Sequence, residues 1–228
     1  MRILAIDSST PQCSVALFQQ NPTLLQQFTA EDQPAYSNRL LEWMNRILDE
    51  AGVRLDEVDG FAVTTGPGSF TGLRVGLSLI KGFVLATEKP FVGVTTFDAW
   101  TATLQTEVNA FCPVLDARKQ QVYAARFHRE RNQWTRQMED RVLAPEALCD
   151  LIDRPTLFAG SGLAAYAGLF RQRLGDRFLT DTTAQTCNVA AGAALWAASR
   201  FDDAKQYDLN SLRIDYIRKS EAELNFKG

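Results

Sequence analysis

The residues best placed to do chemistry are a glycine-rich run, Gly66-Pro67-Gly68-Ser69-Phe70-Thr71-Gly72, and Asp7 at the end of the first apolar segment. The apolar stretch Phe61-Ala62-Val63 leads into Gly66-Pro67-Gly68, and a long apolar-periodic segment follows. The pattern reads as strand, tight loop and helix start. Gly66 and Gly68 permit backbone angles or close approaches that a Cβ forbids. Ser69 or Thr71 can cap the helix, and the free N–H groups of its first turn can hold an anion. The run fits neither common phosphate template. A Walker A loop needs Lys-Ser/Thr after its last glycine, and Leu73-Arg74 follow Gly72 here. A dinucleotide loop needs a small residue where Thr71 stands. The loop therefore signals a close backbone approach: to a nucleotide, to a partner, or to the chain itself. Ser8, Ser9 and Thr10 after Asp7 leave a similar choice, since their hydroxyls can donate to a phosphate or simply close a turn.

The elements that must position these residues follow from periodicity. Residues 2–7 read as a strand, 13–18 as a second alternating strand and 23–29 as a third. Residues 36–51 carry Leu40, Leu41, Met44, Ile47, Leu48 and Ala51 at helical spacing, and Gly52 ends that helix. A strand at 60–65 precedes the glycine loop, and a helix from about residue 70 to residue 87 follows it. Residues 90–94 read as a strand and 95–104 as a helix. Further on, 133–143 and 156–160 read as strands, and 162–171 and 188–200 as helices.

With 228 residues, 46% apolar and 22% charged, the chain has the make-up of an ordinary globular protein of one large or two small domains. No run of about 18 apolar residues suggests a membrane span. The start, MRILAID, lacks the basic and apolar regions of a signal peptide. Cys13, Cys112, Cys149 and Cys187 are scattered, which favours buried thiols over a disulfide framework or zinc site. The net charge of −3 divides unevenly, as −5 over residues 1–109 and +2 over residues 110–228. Arg126, His128, Arg129, Arg131 and Arg136 lie close together, as a solvated hairpin or as a contact for a phosphate backbone. The acidic total argues against a free-standing nucleic-acid binder. Trp43, Trp100, Trp134 and Trp196 read as core or interface anchors.

The opening pattern returns half-way along. ILAIDSSTPQCSVALF (residues 3–18) and CPVLDARKQQVYAARF (112–127) both read as a strand ending in Asp, a polar turn and a second strand. Asp7 aligns with Asp116, Cys13 with Val122 and Phe18 with Phe127. A repeated unit of this kind implies a duplicated α/β domain, here with an incomplete second copy that lacks a second glycine-proline-glycine loop. It is the outline of the actin/Hsp70/sugar-kinase (ASKHA) superfamily, in which the turn faces nucleotide phosphates and the Asp commonly holds the metal's shell. The expected fold is therefore α/β, a duplicated actin/Hsp70-like arrangement of two lobes with the second reduced. The lobes are expected at residues 1–104 and 105–228.

Together, MRILAIDSSTPQCSVALF, GPGSFTGLRVG, DARKQQVYAARF and the C-terminal Asp215-Tyr-Ile-Arg-Lys219 resemble the TsaB (YeaZ) family over nearly the whole chain. That resemblance implies a cytoplasmic, non-catalytic subunit needed to make threonylcarbamoyladenosine beside the tRNA anticodon. Its partners would be TsaD, which carries the metal and transfers the threonylcarbamoyl group, and the ATPase TsaE. It would meet tRNA through the complex, form a homodimer in isolation, and use no cofactor of its own, with ATP or ADP bound only in the complex. TsaD holds its metal with a His-x-x-x-His pair. This chain has a single histidine, His128, and Tyr36-Ser37 stand where many relatives show His-Ser. No catalytic or metal residue is therefore assigned. The partner or dimer interface is expected at Leu40, Leu41, Met44, Gly72, Val75, Gly76, Leu79 and Phe83; the other reading of the stripe Gly72, Val75, Gly76, Leu79 and Phe83 is packing against the chain's own sheet. Asp7, Ser8, Gly66, Gly68 and Ser69 are the nucleotide-proximal candidates. The alternatives are a stand-alone ATP-hydrolysing enzyme of the same superfamily and, weaker, a protease.

Overall fold

The computed structural model describes residues 1–19, 26–29, 36–185, 187–214 and 217, with the backbone course alone for 26–29 and 36–38. The candidates Tyr36 and Ser37 are thus placed only as the start of a helix, and the Asp215–Lys219 segment lies outside the described residues apart from Ile217. Two compact units emerge, one from Met1–Leu104 with Cys187–Ile214, the other from Gln105–Thr186.

The first unit is built on β1 (Arg2–Asp7), β2 (Ser14–Gln19), β3 (Gln26–Thr29), α1 (Tyr36–Ala51), β4 (Gly60–Gly66), α2 (Phe70–Thr87), β5 (Phe91–Thr95) and α3 (Thr96–Thr103). Its sheet runs β3-β2-β1-β4-β5, with β1 antiparallel to β2 and parallel to β4. Strand alternation sends Leu4 and Ile6 into one apolar cluster with Leu40, Met44 and Ile80, and Ile3 and Ala5 into another with Val92 and Ala99. Because both faces are covered, the interior of β1, Ile3 to Ile6, is apolar throughout.

The second unit has β6 (Ala110–Asp116), β7 (Val122–Glu130), β8 (Gln133–Leu143), α4 (Pro145–Asp150), β9 (Thr156–Ala159), α5 (Leu163–Leu174), β10 (Phe178–Thr180) and α6 (Thr182–Gln185). Its sheet order, β10-β9-β6-β7-β8, repeats the first with the same parallel and antiparallel pairings around β6. This is the duplicated actin/Hsp70-like plan. All five strands are kept, and the reduction falls on the helices: α4 has 6 residues against 16 in α1, and α6 has 4 against 8 in α3.

Three expectations change. The second lobe was expected to hold residues 105–228, yet the last helix, α7 (Val189–Ala204), packs on the first sheet. Ala190, Ala191, Ala193, Ala194 and Ala197 are buried there. A Cβ on Gly192 would lie 1.8 Å from the Ala99 carbonyl oxygen, so only small residues allow α7 so close to α3. Second, Asp7 sits opposite Ser14, whereas Asp116 sits opposite Val122. The first turn is one residue longer, which makes Ser14, not Cys13, the counterpart of Val122. Third, α2 is long and apolar enough to cross a membrane by length and composition. Gly72, Leu73, Gly76, Ile80 and Val84 are buried within the unit, so α2 packs along one side only.

Candidate functional site

Asp7 ends β1 with no solvent exposure. Its Oδ1 accepts hydrogen bonds from Ser9 N (3.0 Å), Ser9 Oγ (2.5 Å) and Thr64 Oγ1 (2.7 Å), and its Oδ2 from Thr10 Oγ1 (3.0 Å). Burial pushes the carboxyl's pKa above the usual aspartate range, and the bonds from Ser9, Thr64 and Thr10 only partly oppose that. Burial likewise pushes the neighbouring Cys13 thiol up to about 12.

The glycine loop is clamped onto this turn. Ser69 N donates to Ser9 O at 2.7 Å, and Ser8 Oγ donates to Gly72 O at 2.8 Å. A Cβ on Gly68 would come within 2.2 Å of Ser9 O, one on Gly72 within 1.9 Å of Ser8 O, and one on Gly76 within 2.4 Å of Ser8 Oγ. Gly66 has φ 124°, a conformation suited to glycine. Ser69 caps α2, its Oγ accepting from Gly72 N at 3.2 Å. Of the five nucleotide-proximal candidates, Asp7, Ser8 and Gly66 are buried, Gly68 is half-buried and only Ser69 is exposed.

The second unit repeats the arrangement with different residues. β9 leads into Gly160-Ser161-Gly162 and then α5, a second glycine loop that lacks the proline and so escaped a search for matching letters. Gly160 has φ 118°, and a Cβ on Gly162 would meet Val114 Cγ1 at 2.7 Å. Ser161 Oγ accepts from Asp116 N at 3.3 Å.

The interface candidates separate by side. Leu40 and Met44 belong to the core of the first unit, and Gly72 and Gly76 face the turn after β1, so these four are packing residues. Phe83 is half-buried and stacks on Phe61, ring centroids 5.7 Å apart. Leu41 is exposed. Val75 and Leu79 line an open groove of about 490 Å³ with Phe70, Thr71, Arg74 and Ser78. The Arg74 guanidinium lies 3.9 Å over the Phe70 ring. Thr71, Ser78, Gly82 and Leu85 continue the outward side of α2, and a Cβ on Gly82 would meet nothing within 4 Å. Sequence reasoning missed Ser78, Gly82 and Leu85. The signal was the spacing 71-74-78-82-85, which marks one helix face opposite Gly72 and Gly76.

The basic stretch of the second unit is largely engaged. Arg126 Nη2 lies 2.9 Å from Asp153 Oδ1. Arg129 bonds Asn109 and lies over Trp134, and Arg136 pairs with Asp140 and lies over Phe127. His128 is half-buried, with Nε2 3.8 Å from Glu130. Among the described residues no group of three or more His, Cys, Asp or Glu side chains could hold a metal ion.

The model of the family TsaD, tRNA N6-adenosine threonylcarbamoyltransferase, matches residues 24–226. The chain is 33% identical over 181 residues to the tRNA threonylcarbamoyladenosine biosynthesis protein TsaB of Escherichia coli (strain K12), covering 75% of this chain and 76% of that protein. The chain belongs to the TsaB (YeaZ) family. A crystal structure of an uncharacterized protein from Pseudomonas aeruginosa, described as similar to peptidase YeaZ, superposes with a TM-score of 0.79 at 25% identity, over 95% of this chain and 99% of that one. Component A of the (R)-2-hydroxyglutaryl-CoA dehydratase of Acidaminococcus fermentans shares the fold alone, with a TM-score of 0.53 at 11% identity over 89% of this chain and 100% of that one.

Proposed function

We propose that this chain is a non-catalytic subunit in the synthesis of threonylcarbamoyladenosine in tRNA, and that it docks a TsaD-type transferase through the outward side of α2. The observation that carries this reading is the groove along α2. It is apolar at Val75, Leu79 and Phe70, flanked by small residues at Thr71, Ser78 and Gly82, and continued by Leu85, which is 71% exposed. Small residues let a partner helix approach closely, and exposed apolar area drives its burial. A transferase family model matches most of the chain, so the partner is expected to share its fold and to offer a related pair of helices. A second copy of this chain offers the same face about a two-fold axis, so a homodimer would compete for it.

The single histidine of the sequence supports a non-catalytic role, because a His-x-x-x-His metal pair cannot be built from this chain. On this reading tRNA and TsaE are met through the assembly in the cytoplasm, and any ATP or ADP is held by the complex. The test is sedimentation velocity of the chain with the TsaD of its own organism, using wild type, Ser78→Arg and Leu85→Asp. The expected result is a mixed complex weakened at least about tenfold by each substitution. Melting temperatures should stay within about 2 °C, because both sites are exposed. Unchanged affinity in folded variants would move the docking site elsewhere. No complex with wild type, together with ATP turnover by the chain alone, would favour the enzyme alternative.

A further inference from the structure

The groove along α2 is apolar, yet the charges on that helix are all of one sign. From Gly60 to Thr87 the chain carries Arg74 and Lys81 and no Asp or Glu. The two cations stand seven residues apart, which puts them on one flank of the outward side, while Val75, Leu79 and Ala86 lie along the other. The next acid, Glu88, is the C-cap of α2 and lies well past the groove, whose lining runs from Phe70 to Leu79. Arg74 belongs to that lining, with its guanidinium 3.9 Å over the Phe70 ring. A guanidinium stacked through its face keeps five N–H donors in its own plane, so a bond within the chain does not exhaust them. The first turn of α2 has no acid, and Arg74 adds a cation close to the positive end of the helix dipole. That placement disfavours the cation in the free chain, and an occupant that covers it without offering an acceptor adds a desolvation cost.

Resting on the docking reading above, we propose that the groove selects its occupant by charge: it takes a partner helix whose apolar ridge carries carboxylates toward the Arg74–Lys81 flank, and it disfavours a second copy of this chain. A copy seated over the groove about a two-fold axis perpendicular to α2 runs its own α2 antiparallel to this one, and each flank then meets its counterpart. With the axis over the groove, near Val75, Arg74 faces a second Arg74, and the copy's Glu88 falls past the N-terminal end of the helix. An axis along α2 instead sets the cations of each copy against the apolar flank of the other. Neither arrangement supplies an acid from α2, and like charges brought together oppose association. A transferase-type partner is under no such symmetry. It can place carboxylates on the flank that meets Arg74 and Lys81 and an apolar ridge over Val75 and Leu79. The stacked guanidinium is already held in place by Phe70, so little side-chain freedom is lost when a carboxylate meets it.

The experiment is sedimentation velocity of the full chain, alone and with the TsaD of its own organism, at low and high sodium chloride. Between about 50 mM and about 500 mM salt the screening length falls from about 14 Å to about 4 Å. The variants are Arg74→Lys, Arg74→Gln and Lys81→Glu, with Ser78→Arg as the docking control, and melting temperatures within about 2 °C of wild type show that each is folded. The mixed complex is expected to weaken several-fold at high salt, whereas self-association stays level or tightens; a chain that is monomeric alone at both salts meets the same expectation. At low salt Arg74→Lys, which keeps the charge, should stay within about threefold of wild type, Arg74→Gln should weaken the mixed complex roughly fivefold, and Lys81→Glu roughly tenfold. Arg74→Gln should not weaken self-association, which a merely structural role for Arg74 would do to both complexes alike. The proposal is overturned if the mixed complex ignores salt and both charge changes, or if Arg74→Gln weakens self-association as much as the mixed complex. A mixed complex lost only in Ser78→Arg would keep the docking reading and reject selection by charge. One that survives Ser78→Arg, or that never forms with wild type, would reject both.

Discussion

The turn after β1 and the turn after β6 hold the same place in two sheets of the same strand order, yet their aspartates live in opposite surroundings. Asp7 is buried among the hydroxyls of Ser9, Thr10 and Thr64. Asp116 is part-exposed, accepts from Arg118 N at 2.8 Å and pairs with the Arg118 guanidinium at 3.4 Å. The following residues, Arg118, Lys119 and Gln120, all have positive φ (61°, 52° and 57°) without a glycine among them, and all are exposed. Left-handed backbone costs roughly 1–2 kcal/mol per residue, so the second turn holds a costly shape that solvent and the Asp116 bonds must offset. The difference teaches that a strand-end aspartate in this fold has no fixed role. The helix that packs on it decides, because close packing removes water and forces the carboxyl's partners to come from the chain.

The largest effect that would break this comparison lies at the glycines. Gly72→Ala puts a Cβ 1.9 Å from a backbone oxygen that cannot move without the turn. It is expected to destabilise the first unit by about 3 kcal/mol or to prevent its folding. Gly162→Ala meets first the rotatable Val114 Cγ1 at 2.7 Å, then the Val114 carbonyl at 3.1 Å. About 1 kcal/mol is expected there. Urea unfolding of both variants gives the ranking, and equal costs would mean that the two helix starts are packed alike. An intermediate effect is expected at the hydroxyls. Thr64→Val removes the 2.7 Å bond to buried Asp7 and should cost about 1–2 kcal/mol, whereas Ser161→Ala loses a 3.3 Å bond at a part-buried site and should cost under about 1 kcal/mol. The smallest is expected at the second aspartate. Its ion-pair partner Arg118 is 87% exposed, so Asp116→Asn should change stability by less than about 1 kcal/mol, and salt should shrink the difference. A cost at Asp116 as large as that at Thr64 would erase the contrast between the turns.

Much of this architecture was legible in the residues. The alternation of 13–18, the helical spacing of 36–51 and the strand-loop-helix reading of 60–87 rest on local periodicity, and the structure reproduces each. The duplication was visible as a pattern of strand, Asp and turn. Its second glycine loop was not, because Gly160-Ser161-Gly162 does the same packing task without the letters of the first. The destination of α7 was also hidden. A run of alanines shows that a helix will pack closely, but not against which sheet.

The candidate site shows the same division more sharply. Composition and spacing alone determined that a close backbone approach occurs at Gly66–Gly72 and that a helix starts at about residue 70 with Ser69 or Thr71 as its cap, because glycine conformation and helix capping are local properties; the structure chose Ser69. They also determined that this chain cannot supply a pair of histidines to a metal. Only the tertiary structure decided what approaches those glycines. It is the chain's own Ser8 and Ser9, which turns Gly72 and Gly76 inward and leaves Arg74, Ser78, Gly82 and Leu85 facing out. The physical reason is that apolar residues are spread round α2, with Leu73, Ile80 and Val84 on the buried side and Val75, Leu79 and Leu85 away from it, so the sheet it meets decided which side is covered.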